Sequence, residues 1–130
     1  MMRRDTVRLY ALVAGGAVAG GLLRYVVAVA GLSWSDLGLP WPTLTANAVG
    51  SFVIGWLYAG TLSGRLVLDA GRRAGLMAGF CGSLTTFSIF SFECLLLVDA
   101  GRVGLAGAYV LASVLVWMAS VWAGFRLGGG

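Results

Sequence analysis

The sequence predicts an all-α membrane protein with four transmembrane helices, and three observations support this prediction. Of the 130 residues, 59% are hydrophobic and only 11% are charged, whereas roughly a quarter are charged in a soluble domain. The mean hydropathy is +0.92. The chain has 21 glycines and only two prolines, and small residues allow transmembrane helices to approach one another closely.

Four apolar stretches justify the four helices, because each is close to the roughly 20 residues that a helix needs to cross a bilayer. Four crossings place both termini on one side of the membrane. The glycine-rich tail after the last stretch is predicted to be disordered. The predicted spans cover residues 9–32, 43–62, 74–98 and 103–125, within one domain of residues 1–130.

The first span contains a glycine pair and an arginine. Gly16 and Gly20 lie on one helix face, and this spacing of small residues is typical of helix packing. Arg24 follows inside the span, where it needs a carboxylate, carbonyl or water partner. A structural anchor and a role in attracting anions are equally open for this arginine.

The second span carries an amide about one turn inside its start. Thr43, Asn47 and Ser51 are spaced four residues apart and share one helix face. An amide offers two N–H donors and one acceptor oxygen. Asn47 can therefore stitch helices together or donate to an anion, and the residue alone favours stitching.

The third span contains a polar tract, GFCGSLTTFSIFSFE, at residues 79–93. Its glycines mark where a helix is weakest, and we expect the helix to break between Gly82 and Thr85. A membrane segment tolerates such a break only where it is buried in protein or lines a wet cavity. The break exposes carbonyls that can hold a cation and a half-helix N-terminus that attracts anions.

Two phenylalanines of this tract, Phe87 and Phe90, are three residues apart and share a face. The edge of an aromatic ring carries the positive end of its quadrupole and can face an anion weakly. Ordinary aromatic packing is the commoner role for such a pair, and the spacing by itself favours packing.

The fourth span has one polar face on an otherwise apolar helix. Tyr109, Ser113, Trp117 and Ser120 follow one another at helical spacing. This stripe can line a pathway or pack against a partner, and the pattern does not decide between the two.

All nine cationic side chains are arginines, and they are unevenly distributed. Seven fall on the side that holds both termini, whereas on the opposite side only Arg102 is clear. The positive-inside rule therefore predicts cytoplasmic termini. No basic run is interleaved with exposed aromatic residues, so we expect no nucleic-acid partner. The seven arginines are Arg3, Arg4, Arg8, Arg65, Arg72, Arg73 and Arg126.

The composition also argues against an enzyme. The chain has no histidine, which excludes the catalytic bases and zinc sites that depend on imidazole. Its serines have no histidine to activate them, and Glu93 is a single carboxylate within the third span. Cys81 and Cys94 have no metal-binding spacing and are expected to be buried small side chains.

The sequence resembles the Fluc/CrcB family of fluoride channels. The resemblance is carried by three segments that occur in this order: GGLLRY, TLTANAVGSF and GFCGSLTTFSIFSFE. The resemblance covers essentially the whole chain. It implies a passive channel that exports cytoplasmic fluoride across the inner or plasma membrane and gives fluoride resistance. It also implies an antiparallel, dual-topology homodimer with two pores and a structural sodium ion (Na+) at its centre.

The resemblance assigns roles by position. Asn47 matches a pore-lining asparagine, and Phe87 and Phe90 match phenylalanines whose edges flank the fluoride path. Trp117 departs from the pattern, because some members have a serine there. The remaining matches are pore hydroxyls at Thr86, Ser88, Ser91, Tyr109 and Ser113, sodium-binding carbonyls at Gly82 and Thr85, the acidic Glu93, and a vestibule or structural role for Arg24.

Alternatives to this interpretation remain. A four-span drug antiporter needs a carboxylate in its first span, and residues 9–32 contain none. A non-conducting accessory protein would use the polar tract only to stitch helices. The uneven arginines conflict with dual insertion, so an oppositely oriented homologue is an alternative partner to a second copy.

Overall fold

The structure is a computed structural model that describes residues 3–31 and 38–129, and this part of the chain contains helices and no strands. The first residues of the predicted loop between spans one and two lie outside the described residues. The helices are α1 (Arg4–Ala30), α2 (Trp41–Leu62), α3 (Ala70–Ala74), α4 (Gly82–Leu84), α5 (Ser88–Asp99) and α6 (Val103–Gly129), with a π-helical segment at Gly75–Cys81 between α3 and α4.

Three stretches of the described chain are long and apolar enough to cross a membrane: Arg4–Ala30, Ala70–Asp99 and Val103–Gly129. The protein is therefore a helical, multi-pass membrane protein. Helix α2, with 22 residues, is about 33 Å long at a rise of about 1.5 Å per residue. Its length would suffice for a crossing, and its threonines and asparagine lower its hydropathy.

Backbone-to-backbone packing pairs the helices. Helix α1 packs chiefly against the π-helical segment, and α2 packs chiefly against α6. A Cβ atom added at Gly16 would collide with the Gly75 carbonyl, and one added at Gly124 would collide with the Phe52 carbonyl. Glycine at these positions thus lets each helix pair approach closely, as the glycines of the first span predicted.

The C-terminal end of α6 differs from the prediction. The sequence predicts a disordered tail, but the helix continues to Gly129. Gly128 is buried and lies against the Trp56 carbonyl, and its own carbonyl accepts a hydrogen bond from Ser63 Oγ at 3.4 Å. Contact with α2 therefore holds residues that lack side chains of their own.

The helical stretch at residues 70–99 contains three non-helical residues. Helix α4 ends at Leu84, Thr85 is extended with φ −81° and ψ 153°, and α5 begins at Ser88. The sequence placed the weak point at Gly82–Thr85, but Gly82 is helical and the non-helical residues are 85–87. The reason lies in the partner that α2 offers to Thr86, described below.

Asp69 connects the start of α1 to the start of α3. Its carboxylate accepts a hydrogen bond from the Arg72 backbone N–H at 2.9 Å and lies 3.2 Å from the Arg8 guanidinium. The hydrogen bond from the Arg72 backbone, together with the charges of Arg8 and Arg72, lowers the pKa of Asp69. This N-cap is outside the membrane-spanning stretches and stabilises the helix as an anion.

Candidate functional site

Asn47 holds the non-helical residues of the third stretch. Its side-chain amide is buried, with 5% of its surface exposed, and it forms two hydrogen bonds with one residue. Asn47 Nδ2 donates to the Thr86 carbonyl at 2.8 Å, and the Thr86 N–H donates to Asn47 Oδ1 at 2.7 Å. The amide therefore replaces a helical turn for Thr86, as the stitching interpretation of this residue expects.

The same arrangement diverts backbone donors away from two carbonyls. In a continuous helix the Thr86 N–H would bond the Gly82 carbonyl and the Ile89 N–H would bond the Thr85 carbonyl. Here the Thr86 N–H donates to Asn47, and the Ile89 N–H donates to Thr86 Oγ1 at 3.3 Å. The carbonyls of Gly82 and Thr85 thereby lose their helical partners.

The two phenylalanines of the polar tract occupy different environments. Phe90 is buried with 5% exposure, whereas Phe87 is 73% exposed on the surface of the chain. Their ring centroids are 5.7 Å apart. Phe90 also contacts Tyr109 at 5.2 Å and Trp117 at 4.9 Å. We call Phe87, Phe90, Tyr109 and Trp117 the aromatic cluster.

A carboxylate and two hydroxyls from three helices form a compact polar cluster. Thr43 Oγ1 of α2 donates to Glu93 Oε1 at 2.6 Å, and the Tyr109 hydroxyl of α6 donates to Glu93 Oε2 at 2.8 Å. Each carboxylate oxygen of Glu93 thus has its own donor. The sequence identified all three residues but did not predict that they meet, since nothing in the spacing of one helix reveals its partner on another.

The remaining hydroxyl side chains divide into exposed and buried groups. Ser88 and Ser91 are exposed; Ser88 Oγ lies 3.3 Å from Thr86 Oγ1, and Ser91 Oγ donates to the Phe87 carbonyl. Ser113 is fully buried. Buried hydroxyls are normally paired, and the neighbour that the Ser113 hydroxyl interacts with is the Tyr109 hydroxyl, one helical turn earlier on α6.

Arg24 lies in a separate groove. This groove, with a volume of about 240 Å³, is lined by Arg24 of α1, Thr43 of α2 and Glu93 of α5. The ion pairs of the described residues within 4 Å are those of Asp69, so Arg24 and Glu93 share the groove without direct contact. Arg24 is therefore placed near the Glu93 polar cluster.

A larger groove runs beside the non-helical residues. Its volume is about 460 Å³, and it opens to the surface of the chain. The sequence did not anticipate the contribution of Cys81 and Met77, which face the groove from the π-helical segment. The polar and aromatic side chains that line it include Asn47, Thr85, Thr86, Phe87 and Trp117.

Fold and site together define a multi-pass helical membrane protein with a polar, aromatic-edged groove beside an interrupted helical stretch. The family model described as "CrcB-like protein, Camphor Resistance (CrcB)" matches residues 11–125. The chain belongs to this family.

Three similar proteins are each named as a fluoride-specific ion channel. The chain is 44% identical over 123 residues to "Fluoride-specific ion channel FluC 1" of Rhodopseudomonas palustris, covering 93% of this chain and 86% of the relative. It is 46% identical over 125 residues to the protein of the same name in Bradyrhizobium diazoefficiens, covering 94% and 85%. It is 41% identical over 123 residues to "Fluoride-specific ion channel FluC" of Thermus thermophilus, covering 95% of both chains.

Proposed function

We propose that this chain forms a passive, fluoride-selective channel that exports cytoplasmic fluoride and thereby gives fluoride resistance. The observation that carries the proposal is the groove in which Asn47, Thr86 and Phe87 lie together. Relatives that are 41–46% identical over nearly the whole chain are named as fluoride-specific channels and not as enzymes. This agrees with the expectation that the chain catalyses no reaction.

The chemistry of the groove suits a small, strongly hydrated anion. Conduction requires donors that replace part of the hydration shell and still release the ion. Asn47 uses one of its two N–H groups on Thr86, so the other can donate to fluoride. The edge of Phe87, which lines the groove, adds a weak, positive contact. We propose the same role for the edge of Phe90, which packs against Phe87 and Trp117. Among the described residues no arginine lines this groove, so none holds the anion too tightly.

The membrane potential would drive export without further machinery. An inside-negative potential favours outward movement of an anion by about 2.3 kcal/mol per 100 mV. We propose that α2 also crosses the membrane, in addition to the three stretches described above. The chain would then cross the inner or plasma membrane four times. The polar residues that reduce the hydropathy of α2, Thr43 and Asn47, are buried against other helices, so they do not oppose its insertion as lipid-facing residues would.

The exposed aromatic ring at the open groove supports a second chain. Phe87 is 73% exposed and lies at the groove, and in a complete pore its ring would be covered. We propose an antiparallel, dual-topology dimer in which each chain lends residues to two pores. The seven-to-one arginine bias favours one orientation, so the second chain is either another copy or a homologue with the opposite bias.

The carbonyls of Gly82 and Thr85 fit a structural sodium ion. Both have lost their helical N–H donors, and backbone carbonyl oxygens are suitable ligands for alkali cations in membrane proteins. We propose that these two carbonyls hold Na+ at the centre of the dimer, where the ion would neutralise the carbonyl end of α4 and fix the position of the following residues.

The other site residues are proposed to extend the pore. Ser113 places a buried hydroxyl beside the Tyr109 hydroxyl, which itself donates to Glu93. Arg24 lines the groove that leads to Glu93, which fits a vestibule role. Thr86, Ser88 and Ser91 place hydroxyls along the start of α5 and are proposed to form the pore wall.

Fluoride efflux from proteoliposomes, followed with a fluoride electrode, tests the function. Liposomes loaded with fluoride should release it rapidly in the presence of valinomycin and potassium, while matched chloride-loaded liposomes should not. An assembled protein that releases no fluoride would support a non-conducting accessory protein. Transport that depends on a proton gradient and carries an organic cation would support the antiporter.

Insertion is tested separately. Single cysteines at Thr6 and at Ser63, in a background without Cys81 and Cys94, can be labelled from outside intact cells. Dual insertion predicts that about half of each cysteine reacts, whereas a fixed orientation, as the arginine bias favours, leaves both unreactive.

A further inference from the structure

Trp117 lies at the junction between the large groove and the aromatic cluster. It lines the groove together with Asn47, Thr86 and Phe87. Its indole ring also packs on Phe90, with the centroids 4.9 Å apart and the planes at 72°. This nearly perpendicular geometry is a preferred one for an aromatic pair. Trp117 thus borders the groove and at the same time packs against the ring of Phe90.

The indole is itself held in place by another helix. Trp117 Nε1 donates to the Leu44 carbonyl of α2 at 3.3 Å. An indole has a single N–H donor, so this bond leaves Trp117 with no donor for an anion. The side chain of Trp117 therefore presents only its ring carbons to the groove.

The position of Trp117 also interrupts a line of hydroxyls. On α6 the polar face runs from Tyr109 through Ser113 to Ser120, and Trp117 stands between the last two. Phe90 packs between Tyr109 and Trp117, with the Tyr109 ring 5.2 Å away and at 53°. Removing Trp117 would leave Phe90 supported on one of these two sides.

We infer that Trp117 is a positioning residue that sets the orientation of the Phe90 ring and lines one side of the fluoride pathway with an apolar surface. This inference rests on the proposed channel function. It makes Trp117 a determinant of conduction that never donates to the ion itself. Replacing it with serine would free the Phe90 ring and extend the line of hydroxyls towards Ser120.

The first experiment measures fluoride conductance of single channels in planar bilayers. Trp117→Phe keeps an aromatic partner for Phe90 and should conduct within about twofold of the unaltered protein, whereas Trp117→Ser should conduct about two- to tenfold less, the range expected from losing one edge-to-face pair. Trp122→Ser is the matched control on the same helix, because Trp122 is 61% exposed and lies outside the groove; it should leave conductance unchanged.

A double-mutant cycle separates positioning from general structure. If Trp117 acts through Phe90, then Trp117→Ser should cause no further loss of conductance in a Phe90→Ile background that retains measurable current. An equal loss in both backgrounds would overturn the inference, as would an unaltered conductance in Trp117→Ser.

A spectroscopic measurement tests the positioning role without transport. With 3-fluorophenylalanine at position 90, a held ring gives separate or broadened ¹⁹F resonances, and a freely flipping ring gives one narrow, averaged resonance. Trp117→Ser should narrow the signal and Trp117→Phe should not. An unchanged ¹⁹F spectrum in Trp117→Ser would refute the positioning role even if the protein passed no fluoride, whereas absence of fluoride current with the expected spectra would refute only the channel.

Discussion

Replacing Asn47 with leucine tests the link between α2 and the non-helical residues. Leucine has the same branched shape as asparagine, though it is somewhat larger, and it cannot form the bonds of 2.8 Å and 2.7 Å to Thr86. The variant would leave one N–H and one carbonyl of Thr86 without their partner. The perturbation therefore removes the stitching contact and keeps the shape of the side chain.

The magnitude follows from the burial of the groups involved. A buried polar group left unpaired costs about 1–3 kcal/mol. Thr86 is half-buried, so we take about 1.5 kcal/mol for each of its two groups and subtract a gain of about 1 kcal/mol for burying the leucine. The expected net destabilisation is about 2 kcal/mol, which corresponds to a melting temperature lower by roughly 6–10 °C for a chain of this size.

Thermal unfolding in detergent, followed by circular dichroism, measures this change. Thr45→Ala is the matched control, because Thr45 is exposed on the same helix and should melt within about 2 °C of the unaltered protein, as surface substitutions change stability little. An Asn47→Leu variant that melts like the control would refute the claim that the amide holds the interruption. Asn47→Asp adds a charge test: its carboxylate would face the Thr86 carbonyl and repel the anion, so fluoride efflux should be lost.

Three further predictions follow from the geometry. Phe87→Ile and Phe90→Ile should both strongly reduce fluoride efflux, and Phe90→Ile should lower the melting temperature more, because Phe90 is buried within its own chain whereas Phe87 is exposed there. Normal efflux from both variants would refute the role of ring edges. Gly124→Ala should destabilise the protein by about 1–3 kcal/mol, because the added Cβ meets a backbone carbonyl. Gly107 has open space around it, so Gly107→Ala should be neutral or stabilising by up to about 1 kcal/mol. The same thermal unfolding measurement compares the two variants. Because the pKa of Asp69 is lowered in the folded protein, its carboxylate stabilises the fold above about pH 4, and this stabilisation is lost as the pH falls through the folded-state pKa. The melting temperature of Asp69→Asn should lack this acid-dependent loss. A pH dependence identical to that of the unaltered protein would contradict the role of Asp69.

The sequence was sufficient for the class of fold and for several polar residues of the two grooves. Long apolar stretches can satisfy their backbone groups in lipid only as helices, so the class of fold follows from composition. Polar side chains within such stretches must find partners, and this requirement alone pointed to Asn47, Arg24 and Glu93.

The sequence could not predict which partner each polar group would find. Asn47 can donate to an anion or to a backbone carbonyl, and only the approach of Thr86 from another helix decides its main contacts. These two hydrogen bonds also explain why the non-helical residues come after Gly82 and not at it, because the low helix propensity of one glycine is a weak effect compared with two well-placed hydrogen bonds. Phe87 and Phe90 have similar local sequence, and their opposite burial depends on α6.

The end of α6 illustrates the same limit from the opposite direction. Glycines after Phe125 have low helix propensity, so local sequence predicts disorder. Contact of Gly128 with the Trp56 carbonyl supplies a tertiary reason for helical structure that no local pattern contains. Tertiary packing overrides propensity here, as it often does.

The glycines at the helix–helix contacts determine which substitutions this chain tolerates. The pairing of α1 with the π-helical segment and of α2 with α6 depends on contacts between main-chain atoms, in which Gly16 faces the Gly75 carbonyl and Gly124 faces the Phe52 carbonyl. Such contacts allow weak Cα–H···O bonds and require only that a side chain be absent. The architecture therefore depends on a few positions at which a side chain must be absent, and any substitution there forces two helices apart.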